Sequence, residues 1–413
     1  MYDLIVVGAG PAGMMAGGTA ASRGLKVLVI ERMKQEGSKI LVTGKGRCNI
    51  TNDCEVDEFL EKVMSNKSFL YSSLYTFPPS SVIDFFNKQG VPTVTERGRR
   101  VFPKSEKAKD ARDALVSYMK SNKVQVLKDS KVSHVFKKED GLFSVNVQDK
   151  DGKKSTILSK NLLLATGGMS YSSTGSDGYG YKLAKSLGHE ITPLMASLTG
   201  LYTKEKWPQK AMGLTLKNVG LSLTKDDKVI YKDLGEMLFT HFGISGPLVL
   251  TGSSYLLDYG YENVLAHIDL KPGLTKEQLY KRITSDFSEN GKKSFSSSLR
   301  ALLPESLIPI IVDKSKIPGD KQVSQINKEE KNNLVDLLKD LSLGIKKAMD
   351  IEDAVVTKGG VSTKEIDSST MESKLCKGLY FAGEIIDVDG LTGGYNLTIA
   401  FSTAYLAGQS VRI

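Results

Sequence analysis

The sequence predicts an α/β fold. A Rossmann-type domain in two separated stretches of chain is interrupted by a mainly β domain that itself carries a small helical domain. Three observations predict it. A strand, a glycine-rich turn, a helix and a second strand follow one another over residues 2–31. Apolar and polar residues alternate with period two over 214–224. A charged, helix-periodic stretch over 275–347 is followed by a return to apolar strand character near the C-terminus.

The elements follow in order. YDLIVVG at 2–8 is an apolar run ending in glycine, Pro11 to Arg23 suits a helix, and KVLVIE at 26–31 is a second apolar run, which reads as strand, helix and parallel strand. Helical patterns follow at 57–64 and 79–89. From Val124 to Ala165 strands are joined by tight turns, signalled by Asp140-Gly141 and Asp151-Gly152, and NLLLATGG at 161–168 is a buried strand stopping at paired glycines. Beyond His189 the period-two run LTLKNVGLSLT and a second arm, VIYKDLGEMLFT at 229–240, announce a β unit. EQLYKRITSDF, SLRALL and EEKNNLVDLLKDL are helical, punctuated by Pro318 and Gly319. Strand character resumes at Val355, followed by GLYFAGE at 378–384 and a closing helix from about Gly394 to Gly408. The expected division is 1–190 for the first part of the discontinuous domain, 191–270 for the inserted β domain, 271–347 for the helical domain, and 348–413 for a return through the β domain and completion of the first.

At 413 residues the chain exceeds what one core usually holds. Hydrophobic residues at 40% and charged residues at 25% exclude a disordered or fibrous chain. Lys and Arg total 56 against 47 Asp and Glu, a formal charge of +9, which permits a polyanionic partner without being evidence of one. Cys48, Cys54 and Cys376 cannot make a disulfide framework, and four histidines show no zinc-like spacing. A reducing, cytoplasmic setting with no structural metal is therefore expected. Leu4 to Ala21 is almost free of charge, but six glycines from Gly8 to Gly24 and Asp3 ahead of them argue against a signal peptide or a membrane span.

Gly8-Ala9-Gly10-Pro11-Ala12-Gly13 is a G-x-G-x-x-G loop between strand and helix, with Glu31 at the end of the next strand. Gly8 permits the tight turn, Gly10 lets the backbone approach a pyrophosphate, Gly13 lets helix pack on strand, and the helix N-terminus stabilises phosphate charge. Glu31 is expected to accept hydrogen bonds from the adenosine ribose. Arg32, Lys39 and Val132 are placed with the same ligand. Two later segments favour FAD over NAD: Ala165-Thr166-Gly167 at the end of a buried strand, and Gly383-Glu384 followed by Gly394-Tyr395-Asn396 opening a helix whose N–H groups and dipole can face an electron-rich ring. In Gly44-Lys45-Gly46-Arg47-Cys48-Asn49-Ile50-Thr51-Asn52, Gly44 and Gly46 allow a wrapping loop. Arg47 could neutralise the diphosphate, and Asn49 or Thr51 could bond to ribityl or ring heteroatoms.

The chain resembles the family of FAD-dependent flavoproteins that spans bile-acid-inducible flavoproteins, aminoacetone oxidase-like enzymes and bacterial 23S ribosomal RNA dihydrouridine synthases. The resemblance covers essentially the whole chain. It rests on VVGAGPAGMMA, KILVTGKGRCNITN, GRRVFPKSEKA, LLLATGG, TGSDGYGYKLAKSLGH, GEMLFTHFGISGP, TKGGVSTKEID and GLYFAGEIIDVDGLTGGYN. It implies a discontinuous FAD domain carrying inserted β and helical domains; the Gly8–Gly13 loop, Glu31 and the turn from Gly393 to Asn396 are expected to hold FAD non-covalently, by backbone bonds and dipoles alone.

Two residues are catalytic candidates. Cys48, beside Arg47, reads either as a thiolate or proton donor near the flavin or as a small packing residue. His241 stands before the turn Gly243 to Pro247, which could expose it. Asp177 reads equally as a helix cap or a substrate contact. Arg97, Arg99, Arg100, Lys104, Lys107, Lys109 and Arg112 stand against two acidic residues, which makes a solvated face or a ribosomal RNA contact; no DNA or membrane partner is expected. No second G-x-G-x-x-G follows a strand, so NAD(P)H binds transiently, or the substrate is itself the reductant with oxygen as acceptor. The expected activity is NAD(P)H-dependent reduction of an activated C=C bond, with uridine to dihydrouridine in 23S rRNA preferred. The alternatives are a steroid- or bile-acid-type enone reductase, an aminoacetone-type amine oxidase, and a flavin-bearing RNA-binding or assembly factor. The oligomeric state stays open.

Overall fold

Four consecutive buried residues, Leu4 to Val7, leave the first strand no solvent face, as expected of a strand covered on both sides. This strand, β1 (Tyr2–Val7), lies within a seven-stranded sheet of the computed structural model, which describes residues 1–412. Helix α1 (Pro11–Ser22) is built almost wholly of Ala, Gly and Met and is buried nearly all round, so packing rather than an amphipathic stripe holds it. It returns the chain to β2 (Val27–Ile30), paired parallel to β1 from Leu4↔Val27 to Val7↔Ile30. A side sheet of order β3-β5-β4 is made from β3 (Thr51–Asn52), β4 (Thr93–Glu96) and β5 (Arg100–Pro103). Helix α2 (Ala108–Ser121) leads to β6 (Gln125–Leu127), β7 (Ser130–Lys137), β8 (Phe143–Asp149) and β9 (Lys154–Leu164), giving the main order β6-β2-β1-β9-β8-β7. Strand β9 runs parallel to β1 and antiparallel to β8. Helix α3 (Tyr179–Ser186) and β10 (Met195–Ser197) end this stretch.

The chain forms two compact units, residues 1–197 with 350 onward, and Leu198–Met349. In the second, β11 (Leu201–Thr203), β12 (Thr215–Lys225), β13 (Lys228–Phe239), β14 (Gly243–Ser245), β15 (Val264–Asp269) and β16 (Leu341–Ala348) close a barrel of order β11-β14-β13-β12-β15-β16. Between β15 and β16 lie α4 (Lys276–Glu289), α5 (Ile308–Ser315) and α6 (Lys328–Lys339). Capping boxes Thr275/Gln278 and Asn327/Glu330 start α4 and α6. The helices share the barrel's hydrophobic cluster: Leu279, Ile283 and Leu334 belong to one core with Leu221, Leu223 and Ile268. Two expectations are corrected here. Helical character stops at Lys339, because LSLGIKKA pairs with both β11 and β15 and is needed to close the barrel. The helix expected at 57–64 is only Val56–Leu60, since Val63 bridges to Gly390 instead.

The first unit resumes with β17 (Val356–Lys358), antiparallel to β10, and β18 (Leu379–Phe381), which joins the main sheet parallel to β9. Helix α7 (Tyr395–Ser410) packs on α1.

Candidate cofactor and active site

The loop from β1 to α1 is shaped by three different demands on glycine. Gly8 has φ +99°, and a Cβ there would stand 2.6 Å from the Ala165 carbonyl oxygen at the end of β9. At Gly13 a Cβ would lie 1.8 Å from the Gly8 carbonyl oxygen, so helix and turn meet only because it is glycine. Gly10 is the opposite case: its backbone is ordinary, and a Cβ would meet no protein atom within 4 Å. The space in front of it is open, at the N-terminus of a helix started by Pro11. Ala12 is buried beneath Gly383.

Glu31 ends β2 with one carboxylate oxygen accepting the Ala9 N–H at 2.7 Å and the other the Met33 N–H at 2.8 Å. Burial raises its pKa, against the lowering pull of these N–H groups and Arg32. Arg32 pairs with Asp177, which also accepts the Tyr179 N–H at 3.1 Å; the N-cap of α3 is Gly178, so Asp177 stands one residue before the cap, where it fixes the turn into α3 and anchors Arg32. Val132 is buried in β7, two residues beyond Ser130, whose N–H donates to the Glu31 carbonyl.

Ala165, Thr166 and Gly167 leave β9 beside a partly buried polar lattice. Lys39 donates to Glu384 at 2.7 Å and to Ser170 at 2.8 Å, Ser170 donates to Glu384 at 2.8 Å, and the Thr357 N–H donates to the same carboxylate at 2.9 Å. Lys39 and Glu384 were expected near the ligand, whereas Ser170 and Thr357 were not. The Thr357 hydroxyl accepts from the Met169 and Ser170 N–H groups. Gly383 has φ +77°, and its N–H donates to Thr403.

The loop around Gly44, Gly46 and Asn49 differs from expectation. Arg47 pairs with Glu96 and, at 3.1 Å, with Glu106, and its guanidinium lies 4.2 Å from the centre of the Phe102 ring. It is thereby held on the side sheet, where two carboxylates already answer its charge, rather than free to neutralise a diphosphate. Cys48 is 1% exposed, and burial pushes its thiol up to about 12. The thiolate expectation is therefore corrected: a sealed thiol with no compensating charge stays neutral. The Asn49 Oδ1 is buried without a partner, a free acceptor position in this loop. At the entry to α7, Gly394 (φ +100°) lies against Thr51, where a Cβ would come within 2.4 Å of its backbone. Tyr395 packs edge-on to Phe59 at 5.0 Å, and Asn396 exchanges hydrogen bonds with Gly390 at 2.7 and 2.9 Å. The side chains of Tyr395 and Asn396 thus shape the loop, and what this terminus presents is backbone N–H.

His241 lies in the second unit, exposed on the turn between β13 and β14, with its ring edge-on to Phe242. The basic segment occupies the β4–β5 hairpin and the start of α2. Arg99 pairs with Glu58, Arg112 and Lys109 approach Asp113, and Arg100 donates to the Arg97 carbonyl. Lys104 and Lys107 are exposed between them.

The open space at Gly10, the helix N-terminus behind it, the buried Glu31 carboxylate and the orphaned Asn49 Oδ1 fit a dinucleotide with a polar, hydrogen-bonding far end. Among the described residues no helix is long and apolar enough to cross a membrane.

Comparison with known proteins agrees. The family model described as HI0933-like protein Rossmann domain matches residues 2–410. The chain is 32% identical to the ribosomal RNA dihydrouridine synthase of Escherichia coli over 99% of this chain and 98% of that one. It is 31% identical to the 3-dehydro-bile acid delta(4,6)-reductase of Clostridium scindens over 99% of both. In fold it is similar to a 3-ketosteroid-delta4-(5alpha)-dehydrogenase from Rhodococcus jostii, with a TM-score of 0.53, 14% identity, and coverage of 99% of this chain and 96% of that one. With the family match running from the first strand to the last helix, the chain belongs to the HI0933-like Rossmann family and is an FAD-dependent oxidoreductase.

Proposed function

We propose that this protein is an NAD(P)H-dependent reductase that saturates an activated C=C bond, and that its substrate is uridine in 23S rRNA. The observation that carries the reaction class is the full-length likeness to two relatives whose names describe the same chemistry on different molecules, dihydrouridine synthesis and delta(4,6)-reduction. In the proposed reaction a hydride and a proton add across a C=C bond conjugated to a carbonyl, with NAD(P)H giving up the hydride and leaving as NAD(P)⁺. FAD supplies the two-electron transfer when bound. The chain's own residues do the rest: the first turn of α1 and the space at Gly10 receive the pyrophosphate, Glu31 keeps lone pairs for ribose hydroxyls, and Asn49 offers an acceptor to a donor group. Lys39, Ser170 and Thr357 hold Glu384 in place. Cys48 is the packed base of its loop. His241 is exposed on the β13–β14 turn and so open to a substrate.

For the substrate, uridine is favoured by the likeness to the ribosomal RNA dihydrouridine synthase and by the exposed Lys104 and Lys107 beside the side sheet, on a chain whose net charge permits a polyanionic partner. The equal likeness to the bile-acid reductase supports a steroid-type enone as the second reading. Mass spectrometry of ribosomal RNA from cells with and without the gene decides between them. Loss of a dihydrouridine in the deletion strain is expected. Unchanged rRNA, together with NAD(P)H oxidation driven by a conjugated steroid ketone, would move the assignment to the second reading.

A further inference from the structure

We propose that the barrel of the second unit carries a stacking face for single-stranded RNA, centred on Tyr202 and Phe242. The inference rests on the RNA reading above and extends it to a surface that neither the dinucleotide loop nor the basic hairpin includes. Strands β11 and β14 are only three residues long and pair Leu201↔Ile244 and Tyr202↔Gly243, so the alternation of β11 turns Leu201 into the core and Tyr202 outward. The Tyr202 and Phe242 rings lie 5.1 Å apart and tilted by 43°, both half-buried, and His241 stands edge-on to Phe242 at 5.1 Å. Rings in this arrangement keep part of their faces open, where a fully packed core pair would not.

Cations border the rings. Lys347, opposite Tyr202 on β16, sits 5.2 Å from the centre of its ring. The short helix Trp207–Lys210 packs on β14, and the Trp207 ring carries Lys314 at 5.4 Å. Lys204 and Lys206 are exposed on the connecting segment. Glu205 between them is half-buried and accepts the Gly344 N–H at 2.9 Å, so the two lysines outnumber it on this segment. Aromatic faces alternating with lysines match what an unpaired strand presents, flat bases joined by phosphates. A duplex hides its bases and cannot use the rings, and an acidic protein would use the lysines and not the open ring faces. The occupant that uses both is single-stranded RNA.

The test uses the full-length, FAD-loaded protein and a labelled 12-nucleotide single-stranded RNA, followed by fluorescence anisotropy. Tyr202→Ala should weaken binding about tenfold without changing the salt slope, because stacking releases no counterions. Tyr202→Phe should bind as the wild type does. Lys206→Ala should lower the slope of log affinity against log salt by about 0.7. The chain has one tryptophan, so quenching of Trp207 emission by the same RNA gives an independent readout. Wild-type affinity for Tyr202→Ala, or preference of the wild type for the duplexed oligonucleotide, would overturn the proposal. The two readings fail separately: an rRNA dihydrouridine that persists without the gene removes the substrate assignment, whereas RNA binding indifferent to Tyr202 removes only this face.

Discussion

The loop at Gly8 to Gly13 and the loop at Gly44 to Asn49 look equally informative as strings of residues, yet the folded chain treats them differently. In the first, function lies in backbone: two glycines are required by contacts with Ala165 and Gly8, and the third, Gly10, faces open space. In the second, it was sought in side chains, and the fold has claimed two of them. Arg47 is held by Glu96 and Glu106, and Cys48 is sealed. A backbone motif carries its geometry with it. A side chain's role depends on partners that arrive from elsewhere in the chain.

The sharpest way to break this comparison lies within the first loop. Gly13→Ala drives a methyl into the Gly8 carbonyl and should cost several kcal/mol, seen as loss of soluble folded protein. Gly10→Ala should leave the melting temperature of the flavin-free protein unchanged or slightly raised, while bound FAD measured by absorbance falls. Equal effects of the two substitutions would mean that Gly10 faces no ligand.

A smaller effect is expected in the second loop. Arg47→Met removes two partly exposed ion pairs and a cation–π contact, together about 1–2 kcal/mol by denaturant titration, with FAD content retained. Loss of FAD at unchanged stability would restore the diphosphate role. For Cys48, the folded thiol titrates near 12 against an ordinary 9, so between these values the unfolded chain releases a proton that the folded chain keeps. Stability should therefore fall as pH rises above about 9, and Cys48→Ala should flatten part of that decline. At pH 8 a maleimide should spare Cys48 in the native protein. The smallest difference concerns the basic hairpin. Because Arg99 is already answered by Glu58, Arg99→Ala should change the salt slope of RNA binding less than Lys104→Ala does.

What was legible in the sequence follows the same division. The nucleotide-binding βαβ start, the β7–β9 region with its Asp-Gly turns and the β12–β13 hairpin carry local signals, and each formed where those signals placed it. Strand β16 did not, because LSLGIKKA directly follows a helix with a strong capping box, and its strand character comes from pairing with β11 and β15. The lattice around Glu384 was half legible. Lys39 lies 345 residues from its partner, and the Thr357 hydroxyl reaches the Met169 N–H across 188 residues. Ser170 follows the ATGG strand end closely enough that proximity to a glycine-terminated strand could have flagged it. Thr357 carried no such signal.

The pairing of β10 with β17 bears on how the chain folds. These two short strands are separated by the whole of the second unit, about 150 residues, and joining the ends of an unfolded loop of that length costs about 4 kcal/mol. Within the second unit, however, Leu201 on β11 pairs with Ala348 on β16, so a folded barrel already holds its two ends together. A barrel that forms first converts the long-range closure of the first unit into a local one. The inserted unit then acts as a folding template for the domain that surrounds it, and a substitution that delays the barrel should slow acquisition of the flavin without touching any residue that binds it.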